Sequence, residues 1–255
     1  MLKISIVTVT FNNVRTIEKT IKSVLDQKYP NLDYIVIDGG STDGTLKILE
    51  KYKNYFSYLQ SSRDKGVFDA MNKGIAKASG DIVGFVNGDD FLYENILHKA
   101  YDLFHNRVNQ NFFSAGDIDY IDDEDNIVGS KFHRKTSEML KRRFLEMPTN
   151  HLCIFLPLEV FNKYGLFDIK FPYRADYLYI LNLIKEGYKP IFFDTKVGGF
   201  RLGGQSGGYK AFFENYSIVK KVSNNLLLAF YSTFLAVSKL FFQRNLPSTY
   251  NIIAK

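Results

Sequence analysis

The chain has 255 residues, 45% of them hydrophobic, enough to bury the core of one large domain or two small ones, which excludes a disordered chain. Trp is 0, so Phe 23 and Tyr 17 carry all of the aromatic content and any function that needs a tryptophan is excluded. Lys+Arg 33 against Asp+Glu 27 gives a net charge of +6, and the single cysteine, Cys153, allows neither an internal disulfide nor a cysteine-based metal site.

In chain order, Ile4–Val9 is an apolar, β-branched run that reads as a strand, and not as a signal peptide, because no small-residue cleavage site follows it. It ends in Thr10-Phe11-Asn12-Asn13. Ile17, Ile21, Val24 and Leu25 fall at i, i+4, i+7 and i+8 and predict a helix that Tyr29-Pro30-Asn31 stops. Tyr34–Ile37 predicts a second strand leading into Asp38-Gly39-Gly40-Ser41-Thr42-Asp43, and Leu46, Leu49 and Tyr52 a second helix. A third strand over Tyr55–Leu59, a helix marked by Val67, Ala70, Met71 and Ala78, and a fourth strand over Asp81–Val86 follow. The fourth ends in Asn87-Gly88-Asp89-Asp90. This alternation predicts an α/β fold with a Rossmann-like, mostly parallel sheet flanked by helices.

Beyond about residue 110 the pattern changes. Phe112–Ile118 and Ile127–Phe132 predict a hairpin around the acidic stretch Asp122–Asn126, whose spacing is not that of a calcium loop. Helical stripes cover Ser137–Leu145, Leu158–Tyr164 and Asp176–Ile184, the last closed by Gly187. Gly198–Gly208 holds six of the 18 glycines and predicts a mobile lid carrying Arg201 and Ser206. Leu226–Phe242 is apolar but broken by Ser232, Thr233, Ser238 and Lys239, so it predicts a helix lying on a surface and not a membrane span. Residues 211–255 carry Lys220, Lys221, Lys239, Arg244 and Lys255 against Glu214, a net of +4, so most of the excess charge belongs to this tail.

In open α/β sheets, ligands bind outside the carboxyl ends of the strands. Thr10–Asn13, Asp38–Asp43 and Asn87–Asp90 therefore converge on one rim, which brings Asp38, Asp89 and Asp90 together and implies a cation or a basic ligand. No G-x-G-x-x-G follows the first strand and no Walker P-loop occurs, so a nucleotide site here lacks a glycine cradle and has a carboxylate pair instead. A Mg²⁺ or Mn²⁺ ion bridging a diphosphate needs only one or two protein carboxylates, and Asp89 and Asp90 supply that number.

Five ordered motifs sharpen the reading. They are Ser5-Ile6-Val7-Thr8-Val9-Thr10-Phe11-Asn12; Val36-Ile37-Asp38-Gly39-Gly40-Ser41-Thr42-Asp43-Gly44-Thr45; Asp64-Lys65-Gly66 with Asp69-Ala70-Met71-Asn72-Lys73-Gly74; Gly80-Asp81 leading into Asn87-Gly88-Asp89-Asp90; and Ala175-Asp176-Tyr177. In that order the chain resembles, over roughly residues 3–205, the family 2 nucleotide-sugar glycosyltransferases of GT-A fold. The resemblance implies that Thr10, Phe11 and Asn12 lie at the nucleobase pocket and that Asp38 hydrogen-bonds the base. It places Asp64, Lys65 and Asn72 near the nucleotide and its sugar, Asn87 and Asp89 at the ribose, Asp89 or Asp90 on Mn²⁺ or Mg²⁺, and Asp176 as the catalytic base. Asn87 stands where the family usually has Asp, and it keeps the hydrogen-bonding capacity without the charge. Spacing alone makes Asp176 an N-terminal helix carboxylate favoured by the dipole; the Ala-Asp-Tyr match turns it toward catalysis.

Asp117, at the end of a strand, resembles a position facing the sugar or is a turn residue, and His151 is a candidate near the acceptor or a structural histidine. Processive members of the family carry a Q-x-x-R-W motif, so a chain without tryptophan is expected to add single sugars. The resemblance thus implies a metal-dependent, inverting transfer of one sugar from a UDP-sugar to a lipid-linked glycan acceptor in bacterial surface polysaccharide biosynthesis, lipopolysaccharide among them. The alternatives are a nucleotidyltransferase and a non-catalytic nucleotide-sugar-binding protein. Nucleic acid is not an expected partner, because the basic residues are not interleaved with aromatics and the rim is acidic. The expected organisation is a transferase domain over residues 1–209, with a nucleotide-binding half (1–110) and an acceptor and catalytic half (111–209), then a helical extension over 210–255. The expected location is the cytoplasm, with the extension on the inner face of the membrane or against another subunit of a homo-oligomer.

Overall fold

The computed structural model describes residues 1–107, 110–132, 135–203 and 209–245. Strands β1 (Ile4–Thr10), β2 (Leu32–Asp38), β3 (Tyr58–Ser61) and β4 (Ile82–Asn87) pair in parallel in the order β3-β2-β1-β4, and β8 (Phe155–Pro157) closes the sheet antiparallel to β4. Their side chains alternate between two cores. Ile4, Ile6, Val36, Ile82 and Val86 pack toward α1 (Ile17–Leu25), α2 (Thr45–Tyr52) and α4 (Ile96–Phe104). Val7, Val9, Ile35, Ile37, Val83 and Phe85 pack toward α3 (Val67–Ile75), α6 (Leu158–Tyr164) and α7 (Ala175–Lys185). A sheet covered on both faces explains why its strands read as near-continuous apolar runs.

The stripe at Ile17, Ile21 and Val24 is the fully buried face of α1. The third strand lies three residues later than its expected start, because Lys53–Tyr55 forms a turn of 3₁₀ helix before it. The expected hairpin forms as β6 (Phe112–Ile121) and β7 (Ile127–Lys131), paired antiparallel, and α5 (Thr136–Arg142) follows. Cys153 is buried, with its Sγ donating to the carbonyl of Gly116 at 3.1 Å, and burial pushes its thiol well above the usual range.

The second sheet departs from the expectation. It is mixed, ordered β5-β9-β6-β7, with β5 (Phe91–Leu92) antiparallel and β6 parallel to β9 (Lys189–Arg201). The stretch expected as a glycine-rich lid therefore begins inside a strand. Its glycines answer to packing: a Cβ at Gly198 would overlap the carbonyl oxygen of Phe91, and one at Gly199 would lie 2.6 Å from the Phe91 ring. Ser206 and the remainder of that expected lid beyond Gly203 lie outside the described residues. Gly198→Val is expected to cost about 1–3 kcal/mol, the usual range for overpacking, read as a lowered denaturation midpoint. An unchanged midpoint would show that β5 can move aside.

The chain ends in an antiparallel pair, α8 (Tyr209–Ser223) and α9 (Leu226–Asn245). Ile218, Val219 and Ala229 pack on Tyr177, Leu178 and Leu181 of α7, so the pair rests on the helix that carries Asp176. Among the described residues no helix is long and apolar enough to cross a membrane.

Candidate active site

The register sets the site. Thr10 pairs with Asp38, and Val9 with Asn87, so the three polar strand ends do meet on one rim. There a cavity of about 620 Å³ is lined by Thr10, Phe11, Asp64, Asn87, Asp89, Asp90, His151, Asp176 and Arg201 among the expected residues. Arg63, Tyr173 and Phe200 line it as well and were not singled out in the sequence. A second cavity of about 430 Å³ is lined by Asn12, Arg15, Asp43 and Arg201, and Asp89 borders both.

The rest of the expected set is held elsewhere. Asp38 is fully buried, and its carboxylate accepts from the backbone of Gly40 and Ser41, from Ser61 Oγ at 2.6 Å and from Ser41 Oγ. With its acceptor sites occupied by its own loop and by Ser61 of β3, it shapes the rim and is not among the residues lining the cavity. The Asn72 amide is reciprocally bonded to the backbone of Phe167, at 2.9 and 3.0 Å, and pins that loop to α3. Lys65 is exposed, and its backbone N–H donates to Asp69. Asp117 lies in β6 and does not line the cavity. Asn12 adopts a left-handed φ of 54° and ties the first loop to the second, its N–H donating to Ser41 Oγ and its Oδ1 accepting from Thr42.

At one end of the cavity, Phe11 offers an exposed ring beside Gly39 and Asp64. A Cβ at Gly39 would lie 2.7 Å from Asp64 Oδ2 and 3.3 Å from Phe11, so only glycine leaves this slot open. Asp64 is oriented by the Gly66 N–H, 2.8 Å from its Oδ1.

At the other end, His151 stands between two carboxylates, Nε2 lying 3.4 Å from Asp90 Oδ2 and Nδ1 3.9 Å from Asp176 Oδ2. Burial opposes a charge on the ring, but Asp90, Asp176 and Asp89 outweigh it and hold the pKa above the ordinary histidine value. Burial raises the Asp176 carboxyl, against the pull of His151, the Tyr177 N–H and Arg174. Asp89 is pushed up to about 6 by burial and by the neighbouring charge of Asp90. Asp90 Oδ2 and His151 Nε2 are buried without a hydrogen bond among the described residues, so the cluster retains acceptor and donor capacity.

Arg201 belongs to the frame of this cluster and not to a lid. Its backbone N–H donates to Asp90 Oδ1 at 2.9 Å and its Nε to the Asp89 carbonyl at 3.2 Å, while the other guanidinium nitrogens bind the Asp122 carbonyl and the Asp125 carboxylate. Lys19 pairs with Asp125 at 2.8 Å. The acidic hairpin turn thus anchors the arginine that holds the Asp89-Asp90 turn. Arg201→Ala removes a buried, charge-assisted staple and is expected to cost about 2–4 kcal/mol of stability. Asp125→Asn, which leaves the Asp122 carbonyl contact, should cost less by the same denaturation measurement. Equal losses would mean that the guanidinium acts only through Asp125.

Comparison with known proteins places the family and the fold. A model described as Glycosyl transferase family 2 matches residues 5–165. An uncharacterized glycosyltransferase of Mycobacterium tuberculosis is 32% identical over 182 residues, covering 70% of this chain and 67% of its own length. The poly(ribitol-phosphate) beta-N-acetylglucosaminyltransferase TarP of Staphylococcus aureus is 35% identical over 107 residues, covering 40% of this chain and 33% of its own. Among solved structures, Staphylococcus aureus TarS in complex with UDP-GlcNAc matches with a TM-score of 0.62 at 15% identity, over 100% of this chain and 76% of that one. The mannosyltransferase PcManGT from Pyrobaculum calidifontis, in complex with GDP-Man and Mn²⁺, matches with a TM-score of 0.65 at 15% identity, over 98% and 77%. The fold is that of a glycosyltransferase of GT-A type. The chain belongs to glycosyltransferase family 2.

Proposed function

We propose that this glycosyltransferase moves one sugar from a UDP-sugar to a hydroxyl of a lipid-linked glycan acceptor, with inversion at the anomeric carbon, and that residues 1–209 form the transferase body and 210–255 an accessory extension. The observation that carries the reading is a single cavity bordered by both the Asn87–Asp90 turn and Asp176, from segments far apart in the chain. Phe11 gives the uracil a ring to stack on, and Asp64, held toward the Gly39 slot, accepts its hydrogen bond. Arg63 lines the same end and suits the donor's negative charge.

The residues present fit a divalent ion. Asp89 faces both cavities, Asp90 Oδ2 has no hydrogen bond among the described residues, and two carboxylates are the usual protein share where a diphosphate and water supply the remaining ligands. Asp89 and Asp90 would hold Mn²⁺ or Mg²⁺, and the chemistry such an ion supplies is neutralisation of the charge that builds on a departing diphosphate. Asp176 takes the proton of the acceptor hydroxyl. One carboxylate suffices, because a nucleoside diphosphate leaves without a protonating acid. His151 stands between Asp176 and Asp90, where its charged form favours an ionised Asp176.

The test is a donor screen with a lipid-linked acceptor extract that reads UDP and pyrophosphate separately. UDP release with acceptor glycosylation supports the proposal. Pyrophosphate release would assign a nucleotidyltransferase, and donor binding without either product would assign a binding protein.

A further inference from the structure

Helix α9 is amphipathic in the reverse sense of a helix packed on a core. The face of α9 turned toward the protein carries Ala229, Ser232 and Thr233, and Ser232 is tied to Asn215 and to the Phe144 carbonyl. The opposite face carries Leu227, Phe230, Tyr231 and Phe234, which are 83%, 67%, 55% and 68% exposed. These positions are spaced three and four residues apart, so they form one stripe along the helix. Tyr216 of α8 meets Phe230 edge-on at 5.3 Å, which sets that stripe beside α8. The outer side of α8 adds positive charge, with Lys210, Phe213, Ser217 and Lys220 all exposed at i, i+3, i+7 and i+10, so that two lysines flank one aromatic ring.

We propose that this face of α8 and α9 docks onto an anionic lipid membrane, with α9 lying in the plane of the interface. Three observations select that occupant. First, α9 is not long and apolar enough to span, yet it exposes a contiguous aromatic and aliphatic stripe, the combination that places a helix at the headgroup boundary. Second, no acidic residue follows Glu214, whereas Lys220, Lys221, Lys239, Arg244 and Lys255 do, giving +5 over residues 215–255, which complements an anionic surface. Third, a second copy seated on the same face would set the exposed Lys210 and Lys220 of one chain against those of the other, a like-charge arrangement that disfavours self-association. Glu214 of α8 accepts from the backbone N–H of Tyr173, a residue of the cavity wall, so the docked element sits one hydrogen bond from the site.

The experiment is co-sedimentation of the full chain with phosphatidylcholine vesicles and with vesicles containing equimolar phosphatidylglycerol. Wild type should pellet with the anionic vesicles, less with phosphatidylcholine alone, and less again at high salt. Leu227→Ser with Phe234→Ser should lower partitioning about tenfold or more, since two side chains no longer enter the interface. Lys210→Glu with Lys220→Glu should weaken binding to the anionic vesicles only. All four residues are exposed, so an unchanged melting temperature verifies that the variants fold. Absence of sedimentation with anionic vesicles, or sedimentation indifferent to both variants, would overturn the proposal. So would a wild-type dimer in analytical ultracentrifugation that Leu227→Ser with Phe234→Ser dissociates, because the face would then belong to a second copy.

Discussion

Asp176→Asn is expected to lower turnover by roughly 10²–10⁴-fold, the usual contribution of a positioned general base, with little change in UDP binding. Asp176 opens the first turn of α7, where the Tyr177 N–H lies 2.8 Å from its Oδ1 and Oδ2 faces His151. An amide keeps the size and the accepting oxygen but cannot take a proton at neutral pH. Stability separates this role from a structural one. Burial raises the Asp176 pKa above that of the unfolded chain, so the folded state favours the protonated form, and stability is lost as pH rises from the unfolded pKa toward the folded one. Asn carries no such charge. The variant should therefore melt no lower than wild type at neutral pH and show a weaker dependence of melting temperature on pH. Near-normal turnover would remove the base assignment, and a large loss of stability would return Asp176 to the role of a helix-end carboxylate.

The part of this site that could be read from the sequence is the part fixed by local pattern. β1, β2 and β4 each show an apolar run ending in polar residues, and because a parallel sheet aligns strand ends, Thr10, Asp38 and Asn87 had to share a rim. What those residues do there was less legible. Asp38 and Asp64 look alike in sequence, yet Ser41 and Ser61 consume the Asp38 carboxylate, and Ser61 comes from a separate strand. Asn72 is spent on Phe167, a partner 95 residues away. Nonlocal pairing also hid β9. Its partner β6 lies far back in the chain, and glycines that signal a loop by propensity serve here as gaps for Phe91. The helix α4 is missing from the expected elements although its buried residues Ile96, Leu97, Ala100 and Phe104 fall at i, i+1, i+4 and i+8, a helical spacing. Arg201 is the instructive case: its place in a glycine-rich stretch suggests mobility, but four bonds to two separate segments of the chain make it a fixed point.

Asp89→Asn is expected to remove most activity, about 10³-fold, because charge stabilisation of the leaving group is worth several kcal/mol. It should also abolish the pH dependence of cation binding. The Asp89 carboxyl is pushed up to about 6, so a proton competes with any cation below that pH. In the presence of UDP, the apparent affinity for Mn²⁺ should be nearly constant above about pH 7 and fall close to tenfold per unit below about pH 6. The same shift acts on folding with the opposite preference. A raised carboxyl pKa means that the folded chain binds the extra proton between the unfolded value of 3.8 and about 6, so ionising Asp89 costs stability over that interval. The cost approaches about 3 kcal/mol at neutral pH, and Asn, which has nothing to ionise, should recover part of it. Asp89→Asn should thus bind Mn²⁺ weakly at every pH while melting at or above the wild-type temperature in the absence of metal. Calorimetric titration of Mn²⁺ into the UDP complex across pH measures the first effect, and thermal denaturation the second. Affinity in the variant that still falls with acidity would move the titrating carboxyl to Asp90, and unaltered affinity in the variant would exclude both a ligand role for Asp89 and the charge coupling on which it rests.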